Sequence, residues 1–277
     1  MEGKNNHPIL APYDFTSVSD VALTHAAKFC QLSGKPLIVL NVEDISTQKF
    51  LKQHNQIGQF LNDRLKGICK NVSSTYNIKV SYLIRSGNIL SIRKIADELS
   101  ISFMFIGIDQ PHSIASNVFK VIGTSPAPVY VVQGDIESKN IRNIIFPVDG
   151  FEETRQKITC AVKVAKLTSA NVKLFSIKLN EREQQLSQEV RVKQIEKVLY
   201  EDQVPFTTEY AIRKENEFAD ELMEYAISNK GDIFILMKTP RTFFPNLFIN
   251  PIDKKVLMNP LNIPSIYVNP RDVGRYN

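Results

Sequence analysis

Asp109, His112 and Ser113 crowd one short segment, and a carboxylate, an imidazole and a hydroxyl so placed could be drawn as an acid–base set. Such polar triplets also arise from the needs of a strand-to-helix turn, which accounts for them without catalysis. Lys238 and Arg241 could draw an anion to a second loop, or simply be solvated charges. Phe243, Phe244, Leu247 and Phe248 make that same loop apolar, suited to packing or to docking a partner. Asp14 and Asp149 each follow a strand-like run, where a carboxylate commonly caps the next helix. Cys30, Cys69 and Cys160 are odd in number and lack CxxC spacing, so they are expected to be reduced core thiols rather than a metal or redox site. Neither the G-x-G-x-x-G of dinucleotide binding nor the Walker G-x4-G-K-[ST] is present. The segments Asp14-Phe15-Thr16-Ser17 and Asp149-Gly150-Phe151-Glu152 are not glycine- and serine-rich phosphate loops, which disfavours an activating ligase.

The elements that must position these residues come in two copies. Pro12-Tyr13-Asp14 and Pro147-Val148-Asp149 end β-branched runs 135 residues apart, and an internal repeat fixes the architecture before any motif is weighed. Within the first copy, strands are expected at 9–13, 36–42, 78–84, 103–107 and 128–132. Helical patterns alternate with them, near 17–33, 47–75, 88–99 and 116–122, and this alternation argues for a parallel sheet. Ser17 or Ser19 is expected to cap the first helix and Gly34 to end it. The second copy runs in step, with strands at 144–148, 172–177, 206–212, 233–237 and 263–268. Its loop before the last strand carries Pro240, Pro245 and Pro251, read as stiffening. The polar stretch 135–140 is the best linker, giving domains 1–138 and 139–277.

Order and spacing carry a resemblance. Pro12-Tyr13-Asp14-Phe15-Thr16, Phe146-Pro147-Val148-Asp149 and Ser116-Asn117-Val118-Phe119-Lys120-Val121-Ile122 ahead of Pro128-Val129-Tyr130-Val131-Val132 resemble the universal stress protein family, in its tandem form. The resemblance implies an α/β fold of two doubly wound, Rossmann-like five-stranded parallel sheets of order 3-2-1-4-5. It also implies that the halves pair with each other as an intramolecular pseudo-dimer. The ligand crevice would lie where strands one and four diverge, the point at which strand ends and helix N-termini converge.

ATP-binding members carry G-x2-G-x9-G-[ST] after strand four. In the first copy Gly107 matches the first glycine, but Gln110 stands at the second and Ala115-Ser116 at the third pair, with four intervening residues in place of nine. Pro111 removes another backbone donor. Gly123-Thr124 aligns inside the following helix rather than replacing the lost pair. In the second copy Lys238, Arg241 and Asn250-Pro251 stand at the glycine positions. By resemblance Asp14 and the backbone near Val42 match positions that face adenosine, Gly107 begins the loop, and Ser116 matches a phosphate-contacting hydroxyl. ATP with Mg²⁺ is therefore the alternative to no cofactor at all.

Composition bounds the rest. A net charge of +5 spread among mixed residues does not mark a nucleic-acid binder, and no apolar run approaches bilayer length. No secretory signal pattern precedes the first strand, so a cytoplasmic location is expected. The expectation is a non-catalytic stress-associated or regulatory protein, with no metal and no membrane insertion. A protein partner or homodimer is open, an adenine-nucleotide sensor is the alternative, and a small hydrolase at His112 is the third reading.

Overall fold

The computed structural model describes residues 7–43, 58–108, 115–149, 155–238, 251–257 and 259–270. The chain divides into two compact units, Met1–Ser138 and Lys139–Asn277. The first unit runs β1 (Ile9–Pro12), α1 (Ser17–Ser33), β2 (Leu37–Glu43), α2 (Gly58–Tyr76), β3 (Val80–Ser86), α3 (Ser91–Glu98), β4 (Phe103–Ile108), α4 (Ala115–Thr124) and β5 (Val129–Gln133). Its strands pair in the order β3-β2-β1-β4-β5, all parallel, so the direction of winding reverses between β1 and β4.

A central parallel strand is covered on both faces and must be apolar throughout. Phe103, Met104, Phe105 and Ile106 of β4 are accordingly all buried. Phe105 stacks on Tyr130 of β5 at 4.5 Å, and Phe29 of α1 packs against Phe103 at 5.0 Å. The small residues Ala22, Ala26 and Cys30 let α1 lie close on the sheet, and all three are fully buried. Gly34 ends the helix in the left-handed conformation at φ 68°, its N–H donating to the Cys30 carbonyl at 2.8 Å. Burial pushes the Cys30 and Cys160 thiols up to about 12 and Cys69 to about 11, so all three stay protonated at neutral pH.

The second unit repeats the plan with β6 (Asn143–Val148), α5 (Arg155–Thr168), β7 (Asn171–Ser176), α6 (Arg182–Glu201), β8 (Phe206–Tyr210), α7 (Phe218–Ser228), β9 (Ile233–Met237), α8 (Pro251–Leu257) and β10 (Ser265–Val268). The order here is β8-β7-β6-β9-β10, again parallel. Register is preserved as well: Ile9 pairs with Leu37 and Ile144 with Val172. Phe175 stacks between Phe218 and Tyr225 at 5.5 and 4.4 Å, the aromatic packing of this unit. Pro251 does not merely stiffen a loop, as its sequence context implies, but opens α8. Proline suits a first helical position, where its missing N–H has no intrahelical partner to lose. Ile252, Val256 and Leu257 then bury one face of that short helix.

Two contacts in the first unit matter beyond it. His25 of α1 is 5% exposed and lies between the Tyr130 hydroxyl, 3.3 Å from Nδ1, and the Ile136 carbonyl, 3.2 Å from Nε2. A carbonyl can only accept, so Nε2 carries the proton and Nδ1 accepts from Tyr130. Lys28 donates to the Ser138 carbonyl at 2.5 Å, so α1 holds the stretch leading out of the unit at two points. The second contact is the approach of β4 to the start of α1. A Cβ built on Gly107 would overlap the Val18 carbonyl oxygen and lie 2.6 Å from its carbon.

Burial lowers the His25 pKa from 6.5 to about 4, opposed by the Ile136 hydrogen bond and helped by Lys28. A depressed folded-state pKa gives stability that is complete above pH 6.5 and lost as pH falls toward 4. Between pH 7 and 4.5, denaturant titrations should show the wild type losing about 2 kcal/mol more than His25→Phe; equal losses would remove His25 from the pH response. Gly107→Ala should lower stability by about 1–3 kcal/mol, read as a lower urea midpoint at unchanged slope, because two backbone segments must separate to admit one methyl group.

Candidate functional site

Past β1 the chain turns sharply. The Tyr13 N–H still donates to the Leu40 carbonyl at 2.8 Å, and Phe15 then takes φ 68°, a left-handed value that a bulky side chain rarely adopts. Asp14 Oδ1 accepts from the Thr16 N–H at 3.2 Å and from its hydroxyl at 2.6 Å. Thr16, rather than Ser17 or Ser19, is the cap of α1: its Oγ1 accepts from the Ser19 N–H at 3.3 Å. The Ser19 hydroxyl donates back to the Thr16 carbonyl at 2.8 Å. Asp14 thus orients the residue that caps the helix and is not the cap itself. The Tyr13 hydroxyl donates to the Asp20 carboxylate, and burial first, then that bond, raises its pKa far above the ordinary range. Phe15 meets the Tyr13 ring edge-on at 5.1 Å, with the Arg64 guanidinium of α2 at 4.9 Å over its face.

This turn forms one wall of a cavity of about 260 Å³ at the carboxyl ends of β1, β2 and β4. Asp14, Val42 and Gly107 all line it, joined by Ile89 from the turn before α3, Ile92 from α3 and Val121 from α4. Ser116 lies on α4, upstream of Val121; its side chain is outside the described residues. The position agrees with the general rule that doubly wound sheets bind at the switch in strand order. Tyr13, Leu40, Ile106 and Ile108 complete an apolar lining in which, among the described residues, Asp14 is the only charged one. Among the described lining residues none is cationic. Gly107 faces the Val18 carbonyl, so the space its missing side chain leaves is filled by helix backbone.

The second unit is built differently at its equivalent level. Gly107 pairs with Val132 in the first unit, and Met237 with Val268 in the second, so Met237, not Lys238, holds the Gly107 position. Burial lowers the Lys238 pKa, with Asp253 acting against it. Asn41 of β2 and Ser176 of β7 are equivalent and both fully buried. Asn41 Nδ2 donates to the Tyr13 carbonyl at 2.8 Å, while its Oδ1 has no hydrogen-bond partner among the described residues. In the second unit that carbonyl, Val148, is met instead by Gln188 of α6 at 2.9 Å, which also donates to the Ser176 hydroxyl at 3.0 Å. Lys157 of α5, 2% exposed, donates to the Pro147 carbonyl at 2.6 Å and sits 4.2 Å from the Phe146 ring centroid. Sequence periodicity gives no warning of Lys157 or Gln188, since each looks like an ordinary polar residue on an amphipathic helix.

Asp109, Gln110, Pro111, His112 and Ser113 lie outside the described residues, as do Pro240, Arg241, Phe243, Phe244, Pro245, Leu247, Phe248 and Asn250. Asp149 follows β6 and is half-buried. Among the described residues no group of three or more His, Cys, Asp or Glu could hold a metal ion, and no helix is long and apolar enough to cross a membrane.

No protein-family model matches the chain, and no curated protein matches it. Solved structures do. A universal stress protein from Archaeoglobus fulgidus DSM 4304 superposes with a TM-score of 0.72 at 14% identity, covering 96% of this chain and 99% of its own. A putative universal stress protein from Pseudomonas aeruginosa UCBPP-PA14 gives 0.62 at 14% identity, covering 95% and 93%. At such identity the likeness is one of fold, and it extends over both units. With each unit wound in the order 3-2-1-4-5, the chain has the fold of the tandem universal stress proteins.

Proposed function

We propose that this protein is a non-catalytic, stress-associated or regulatory protein of the cytoplasm whose ATP-binding loops are degenerate in both halves. The observation that carries this reading is the lining of the first-half cavity, where Asp14 is the only charged residue among those described and Gly107 abuts the Val18 carbonyl. A phosphate is held best by positive charge, and no described wall residue supplies it. Pairing of the two halves with each other, implied by the resemblance, belongs to the same proposal, as does a protein partner.

One observation favours the alternative, a sensor of ATP or ADP with a single site. Asp14, Val42 and Gly107, matched to that site by resemblance alone, line one cavity. Isothermal calorimetry with ATP and Mg²⁺ separates the two, with Asp14→Ala run alongside. No heat of binding up to millimolar ligand is expected. Saturable binding by the wild type, weakened in Asp14→Ala, would establish the nucleotide sensor in its place.

A further inference from the structure

We propose that the first-half cavity takes an uncharged, largely apolar small molecule that presents a hydroxyl or N–H donor to Asp14. This rests on the non-nucleotide reading above and adds the class of ligand. At about 260 Å³ the cavity falls just below the roughly 300–1,000 Å³ of ordinary ligand pockets, room for a compact ring system. Its walls are aliphatic and already withdrawn from water: Leu40, Ile92, Ile106, Ile108 and Val121 are each under a tenth exposed. An apolar body gains by entering such a space, whereas a charged one loses its hydration with little in return.

The polar end narrows the choice further. Thr16 and Ser19 line the cavity, but their hydroxyl protons are spent, the first on Asp14 Oδ1 and the second on the Thr16 carbonyl. Asp14 Oδ2 is left without a partner among the described residues, and Asp14 is exposed. A carboxylate oxygen only accepts, so the ligand must donate. The same negative charge selects against a phosphate or carboxylate on the ligand.

The test uses the full chain and N-phenyl-1-naphthylamine, an uncharged aromatic amine that brightens in apolar surroundings. Its fluorescence should rise saturably at one site per chain. 1-Naphthol should displace it, and 1-naphthyl phosphate, the same ring system carrying a dianion, should compete about tenfold less well or worse. Asp14→Ala should weaken the amine about tenfold by removing the acceptor. Ile92→Trp and Val121→Phe fill the space from different helices, and either one, if its circular dichroism matches the wild type, should abolish the signal. The proposal is overturned if no saturable rise occurs, if a folded cavity-filling variant binds as the wild type does, or if the phosphate ester competes as well as the alcohol. Absence of binding by the amine and by ATP alike would remove only the ligand class, whereas saturable ATP binding by calorimetry would remove the non-nucleotide reading beneath it.

Discussion

Where β4 passes beneath the first turn of α1, there is no room for a side chain. The missing Cβ of Gly107 brings strand backbone against the Val18 carbonyl, and this sets where α1 begins. Once the helix start is fixed, Thr16 must cap it and Asp14 must reach Thr16. The β1–α1 turn, the mouth of β4 and the cavity between them are therefore one construction. A glycine that the resemblance places at the start of a phosphate loop is required here for packing, whatever the cavity holds. The same residue type answers two demands, and only the neighbour of the absent side chain tells them apart.

The two copies keep the winding and the register while exchanging the chemistry at the strand ends. The carbonyl that leaves β1 is satisfied locally, by Asn41 on the adjacent strand, and the carbonyl that leaves β6 is satisfied from a helix, by Gln188. The helical solution brings α6 into the polar network of the core and engages the Ser176 hydroxyl as well. Lys157 goes further, burying an ammonium against a carbonyl and an aromatic face at a level where α1 carries alanines. Buried charge is tolerated only with such partners.

The alternation of strands and helices could be read from the sequence because each cue is local: β-branched runs, three- and four-residue apolar steps, and Gly34 at a helix end; the winding order comes only with the resemblance. Asp14, Val42 and Gly107 come from the resemblance, not from any local cue, and the structure places all three in the lining of one cavity. What could not be read depends on partners distant in the chain. Met237 rather than Lys238 stands at the Gly107 level because sheet pairing, not residue counting, sets register. Ser17 and Ser19 compete with Thr16 on equal terms until it is known which hydroxyl faces a free N–H. Pro251 starts a helix whose length is too short for periodicity to announce. Gln188 and Lys157 are polar residues whose carbonyl partners lie 40 and 10 residues away, and no helical pattern encodes them.

Phe15 adopts a backbone conformation that glycine would take at no cost, and the second copy has Gly150 at the matching position. The first copy accepts on the order of 1 kcal/mol of backbone strain there. In exchange the ring rests on Tyr13 and beneath Arg64, so the segment bearing Asp14 is ordered before anything meets it. The entropy of immobilising that turn is then settled during folding and does not recur at each encounter, which makes Phe15 an element of preorganisation rather than of recognition.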